Sequence, residues 1–342
     1  MKNVRLVGAH ASPYSRKMRA VLRYRRIPFR WIARGGPDDV DVPPVPVALV
    51  PVLAWSGPEG EVAMIDSTFQ IGRLEDAVPT RSIVPANPAT AFLDALVEDY
   101  ADEWLTKVMF HYRWTYAPDA TKASRVIPFD QNPMLPAGQL EGGAAAFAER
   151  QIGRLAVVGS TPATAPVIEA SYRRLLATLD AIFERAPFLF GTRPSAADFA
   201  LFGQLSQLVA FDPTPTAIAA EVAPRVIAWV HHVDDLGSLP DPGPDGWRPD
   251  AIVAAALRPL LAEIGRVYAP FLLANAAALT ARSELVTCSI DGAPWAQAPF
   301  PYQGKCLRWL RERYGALPPA DRSKVDAALA GTGCEALFTM QA

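Results

Sequence analysis

The stretch "VRLVGAHASPYSRKMRAVLRYRR", residues 4–26, is where the fold of this chain is decided. Val4–Gly8 is a short apolar run closed by glycine, the pattern of a buried strand. At Ser12 the pattern turns helical. Ser12 suits an N-cap, Pro13 suits the first helical position, and Met18, Val21 and Leu22 form one apolar stripe. "PFRWIA" at 28–33 alternates and reads as a second strand, giving β-α-β. Cysteines at positions 12 and 15 would make a Cys-Pro-Tyr-Cys thiol–disulfide motif, but here both sulfurs are replaced by the oxygens of Ser12 and Ser15.

Working outward, 34–50 is irregular and proline-rich. "PVLAW" (51–55) and "VAMI" (62–65) are strands joined by the turn cluster "SGPEGE", and "DSTFQIGRLEDAV" (66–78) is a helix capped by Asp66 or Ser67. From Pro88 onward the patterned segments are helical, notably 89–114, 165–186, 195–209 and 223–236. "DPGPDGWRPD" (241–250) reads as a linker, and further helical stretches follow it. Many of the 33 prolines stand where helices start or stop. The expected organisation is an α/β unit over 1–84, an all-helical domain over 88–240, and an additional helical extension over 250–342 packed on that domain.

The net charge of −2 gives no global field for nucleic acid or an anionic membrane. The longest uncharged run, 42–58, is interrupted by prolines, so no membrane helix is expected. The opening "MKNVRLVGAH" lacks a signal-peptide pattern. Three cysteines, Cys288, Cys306 and Cys334, fit a reduced compartment, so the reading is a cytoplasmic protein with free thiols. His231–His232 point apart on a helix, and "GTGCEA" (331–336) opens no βαβ unit. No metal site is expected.

This layout resembles the cytosolic glutathione transferase superfamily over roughly residues 1–240. "SPYS" (12–15) stands where that family carries its catalytic Ser, Cys or Tyr. "LVPVL" resembles its Val-Pro pair, with Val50 preceding a cis Pro51. Asp66–Ser67 resembles its acidic-plus-Ser pair, and "FLFGTRPSAADFAL" its helical capping box, with Ser195 and Asp198. The resemblance implies a thioredoxin-like domain (βαβ-ββα, a mixed four-stranded sheet) followed by an all-α domain. It also implies glutathione as co-substrate and a homodimer.

The implied site follows. Ser12, with Ser15 as backup, would donate to the glutathione thiolate. A free thiol has a pKa near ~8.5. A helix N-terminus contributes ~0.3–1 kcal/mol and a hydroxyl donor ~1.5–3 kcal/mol, enough to lower that value by roughly one to three units. Val50 would pair its backbone with the extended peptide. Ser67 and its helix N-terminus would take the γ-glutamyl carboxylate, and Asp66 the ammonium. Arg34 and Arg16 are candidates for the glycine carboxylate. Tyr14 together with Tyr100, Trp104 and His111, at helical spacing with Trp114, forms a candidate wall for an apolar electrophile. The expected function is a glutathione-dependent transferase, lyase or isomerase. The competing reading is a non-catalytic scaffold or ligand-binding protein, with the extension filling the cleft or presenting a partner surface.

Overall fold

The structure is a computed structural model that describes residues 1–40 and 42–339. The N-terminal unit runs β1 (Lys2–Gly8), α1 (Pro13–Tyr24), β2 (Arg30–Ala33), β3 (Val52–Gly57), β4 (Gly60–Met64) and α2 (Ser67–Ala77). Its sheet has the order β2-β1-β3-β4. β1 pairs parallel with β2 and antiparallel with β3, and β3 pairs antiparallel with β4. This is the mixed four-stranded, thioredoxin-like sheet expected from the sequence. The irregular link read at 34–50 carries no strand or helix among its described residues, Asp41 lying outside them.

α1 starts as its sequence dictates. The Ser12 hydroxyl accepts from the Ser15 N–H at 3.3 Å, with Pro13 in the first turn. α1 then packs against the helical domain at very short range. A Cβ at Gly203 would come within 2.6 Å of the Pro13 carbonyl oxygen, so only glycine allows that approach.

The helical part comprises α3 (Pro88–Thr115), α4 (Ala117–Gln131), α5 (Ala137–Ile152), α6 (Ala165–Phe183), α7 (Ala196–Leu208), α8 (Pro213–Val222) and α9 (Pro224–Val233). α7 is buried along its whole length, its polar residues Asp198, Gln204, Ser206 and Gln207 included. It opens on a complete capping box: the Ser195 N–H donates to Asp198 at 2.9 Å, and the Asp198 N–H donates to Ser195 at 3.3 Å. Burial raises the Asp198 carboxyl to about 6, and the Leu189 and Ser195 N–H groups it accepts oppose that rise.

The extension is α10 (Asp250–Thr280), β5 (Val286–Ile290), β6 (Ala293–Gln297), α11 (Pro301–Gly315) and α12 (Pro319–Leu329). It is not helical throughout: β5 and β6 form an antiparallel hairpin. The turn residues Asp291 and Gly292 both have positive φ, 52° and 77°. Asp-Gly is the two-residue turn that matches strand twist, and it was present in the sequence as a hairpin signal. The extension covers α3. Tyr268 of α10 packs on Tyr100 and Trp295 of β6 on Trp104, with ring centroids 6.0 and 5.4 Å apart. No helix among the described residues is long and apolar enough to cross a membrane.

Candidate functional site

Between the N-terminal sheet, α3 and α11 lies a cavity of about 690 Å³, within the range of small-molecule sites. Three parts of the chain build it. The sheet side supplies Val50, Pro51 and the start of α2, α3 supplies a column of acids, and α11 supplies the opposite wall.

The sheet side has the expected form. The Val50–Pro51 peptide is cis. The Pro51 carbonyl accepts from the buried Gln70 side chain at 2.9 Å. Asp66 has φ 77°, a region that non-glycine residues seldom occupy and that costs on the order of 1–3 kcal/mol. It caps α2 by accepting from the Thr68 N–H at 3.2 Å. Ser67 is buried at the first position of that helix. Asp66 has a second partner that sequence reasoning missed: the Tyr302 hydroxyl of α11 donates to it at 2.5 Å. Burial and the Asp66 carboxylate push the Tyr302 phenol far above its ordinary range.

On α3, Glu98 and Asp102 close on Lys17 of α1 at 2.7 and 2.6 Å. Burial pulls that ammonium down, but Asp102 and Glu98 more than offset it and hold Lys17 charged. One residue further along, Asp99 and Glu103 face α11. Asp99 accepts from the Tyr268 hydroxyl at 2.6 Å and bonds Cys306, and Glu103 is bonded by the Gln303 side chain. Burial raises Asp99 to about 6 and Glu103 to about 8. Lys107 is lowered by burial to about 7. It donates to the Val158 carbonyl and to Gln297. The Cys306 thiol is pushed up by burial and then by Asp99 and Glu103, which makes it a poor nucleophile.

The sequence-derived residues divide in two. Tyr14, Val50, Pro51, Asp66 and Ser67 line the one cavity. Ser12 and Ser15 do not line it. Ser12 is half-buried at its cap, and Ser15 is fully buried, accepting from the Ala9 N–H at 3.2 Å. Beside Ser12, the Asp130 carboxylate of α4 accepts from the Ala11 N–H. Tyr14 donates to the Asp102 carbonyl at 2.7 Å.

The aromatic stripe is core and not pocket wall. Tyr100 and Trp104 are fully enclosed under the extension, and Trp104 donates to Ser171. His111 is buried between Ser160 and Glu169, its pKa lowered by burial, and Trp114 is also buried. Arg34 is paired with Asp39 and Arg16 with Asp234, both away from the cavity. The cations that do line it are Lys107, Lys305 and Arg313.

Two family models match the chain: the glutathione S-transferase N-terminal domain over residues 6–82 and the glutathione S-transferase C-terminal domain over 144–232. The extension lies outside both. No curated protein matches. Among solved structures, a glutathione S-transferase from Rhodospirillum rubrum F11 is 18% identical, covering 75% of this chain and 91% of that one, with a TM-score of 0.40. One from Methylobacterium radiotolerans JCM 2831, in complex with glutathione sulfonate, is 18% identical, covering 68% and 91%, with a TM-score of 0.39. Maleylacetoacetate isomerase from Anaeromyxobacter dehalogenans 2CP-1, with bound glutathione, is 17% identical, covering 70% and 97%, with a TM-score of 0.36.

Proposed function

Because the chain belongs to the glutathione transferase superfamily, we propose that its cavity binds glutathione and that the protein is a glutathione-dependent transferase or isomerase. The observation that carries this reading is that Val50, Pro51, Asp66 and Ser67, read from the sequence as a peptide-binding set, line one cavity at the start of α2. An extended peptide pairs its backbone with Val50. Its γ-glutamyl carboxylate meets the α2 N-terminus, where N–H groups and the helix dipole favour an anion. Its ammonium takes Asp66 once Tyr302 gives way. Lys305 and Arg313 are the cations at hand for the glycine carboxylate.

The sulfur reaches beyond the residues that line the cavity, past Tyr14, toward the start of α1. There the Ser12 hydroxyl accepts from Ser15, which leaves its own O–H free to donate to a thiolate. The thiolate then attacks the carbon of an apolar electrophile. As the carbon–sulfur bond forms, either a leaving group departs with the electron pair of its bond to that carbon, or a carbon–carbon π bond opens and the resulting carbanion takes a proton from water.

The test is glutathione titrated into the full chain, followed by ultraviolet thiolate absorbance, with Ser12→Ala beside it. A saturable thiolate signal that the variant loses while still binding glutathione supports the reading. No binding at millimolar glutathione sinks it. The second reading, a ligand-binding protein without transferase chemistry, is favoured by the Tyr302–Asp66 bond, which holds the ammonium position with a residue of the extension.

A further inference from the structure

We propose that the α3–α11 end of this cavity, at Asp99, Glu103 and Gln303, is a binding site for an organic primary ammonium carried on an apolar or aromatic body. The inference goes beyond the glutathione reading and does not rest on it.

Gln303 is the starting point. It lines the cavity with 4% exposure, its side chain bonds Glu103, and its Oε1 has no hydrogen-bond partner among the described residues. An amide oxygen can only accept, and a buried acceptor left without a donor is costly. Beside it stand Asp99 and Glu103, one helical turn apart on α3. Among the described residues neither forms an ion pair, whereas Glu98 and Asp102 share Lys17.

Three oxygen-bearing side chains therefore meet where, among the described residues, no cation comes within ion-pair distance of either acid, and an arriving ammonium takes that place as Glu103 releases to solvent the proton that burial holds on it. A primary ammonium brings three N–H donors and one positive charge, which is the matching set.

The charged and titratable groups facing these acids do not already fill that role. Tyr268 and Cys306 are neutral donors. Lys107, one turn beyond Glu103, is turned to the Val158 carbonyl, Gln297 and the Phe271 ring. Arg313 acts on Asp99 from α11 without reaching ion-pair distance. A metal ion fits less well, because no group of three or more ligating side chains with metal-site geometry occurs among the described residues. Phe300, Trp309, Leu310, Val157 and Val158 line the same cavity with apolar surface that suits a hydrophobic body.

The test uses the intact chain and three probes with one body: 2-phenylethylamine, 2-phenylethanol and phenylacetate. Binding is read by intrinsic tryptophan fluorescence, since Trp309 lines the cavity, and by calorimetry. The expected order is amine tightest, alcohol at least about tenfold weaker, and carboxylate weakest. Glu103→Gln should weaken the amine about tenfold and leave the alcohol within about twofold. If the alcohol binds as tightly as the amine, or the carboxylate binds tightest, the proposal is overturned. The same holds if a folded Glu103→Gln binds the amine unchanged. Should that variant fail to fold, Gln303→Met serves in its place, and the wild-type probe order decides by itself. Because no glutathione is present, the outcome is independent of the thiolate titration.

Discussion

On α3, Glu98 and Asp102 face α1 and close on Lys17, whereas Asp99 and Glu103, each one residue further along, face α11 and form no ion pair among the described residues. Both pairs have i,i+4 spacing on the same helix, and both are drawn out of water. What differs is the partner. The first pair joins the N-terminal sheet unit to the helical domain through a compensated triad, with the Thr68 hydroxyl adding a further bond to Glu98 at 3.1 Å. The second is hydrogen-bonded by neutral donors and burial drives its protons on; burial raises Asp102 of the first pair as well, with Lys17 opposing that rise. The same residue type thus serves as a domain strut in one register and as uncommitted binding capacity in the next.

The largest effect should come from removing the shared cation. Lys17→Met leaves two buried carboxylates facing an apolar side chain, the case in which breaking a buried pair costs about 3–5 kcal/mol. Urea denaturation at pH 7 should show a loss of that order. The deficit should shrink toward pH 5, where the orphaned acids take up protons. A loss under about 1 kcal/mol, flat with pH, would erase the distinction between the two pairs.

Glu103 should behave in the opposite way. Its folded pKa, about 8, lies above the 4.5 of an ordinary glutamate. Between these values the folded state holds a proton that the unfolded chain has released, so this group's contribution is present below pH 4.5 and is lost as pH rises through 8. Glu103→Gln cannot lose it. The variant should match wild type near pH 4.5 and exceed it by roughly 1–3 kcal/mol at pH 8.5, a range already reduced for residual solvent screening. Lys107, lowered to about 7, contributes with the other sign, gaining as pH rises from 7 toward 10.5; Glu103 holds the Lys107 pKa up, so Glu103→Gln lowers it further and adds to the difference above pH 7. Parallel pH–stability curves for variant and wild type would show Glu103 to be ionised and solvated.

The sequence made one side of this cavity readable and hid the other, for a physical reason. Asp66, Ser67, Val50 and Pro51 belong to local backbone patterns, a cap and an X-Pro turn, whose signals lie within a few residues. So does the Ser195–Asp198 box. Lys17 reads as one more charge in an arginine-rich helix, because its partners lie 81 and 85 residues away. Tyr302 is 236 residues from Asp66. Tyr100 and Trp104 have the periodicity of a buried face whether a ligand or the extension covers it. Only the tertiary fold, with Tyr268 and Trp295 laid over them, decides between those.

Asp66 completes the comparison as an acid held by a phenol, between the fully paired and the unpaired cases. Tyr302→Phe removes the donor and keeps the ring, which sits against Trp309. The freed oxygen should accept the glutathione ammonium without competition. Affinity should then rise about three- to tenfold, the scale of one charge-assisted bond no longer exchanged, at a stability cost of about 1 kcal/mol. Calorimetry with glutathione measures both directions. Unchanged affinity would mean that the ammonium sits elsewhere and that the Tyr302–Asp66 bond serves only to fasten α11. Weaker binding would mean that the Tyr302 hydroxyl itself touches the peptide. In that case the extension is part of the glutathione site and does not compete for it, and the two walls of the cavity act on one ligand.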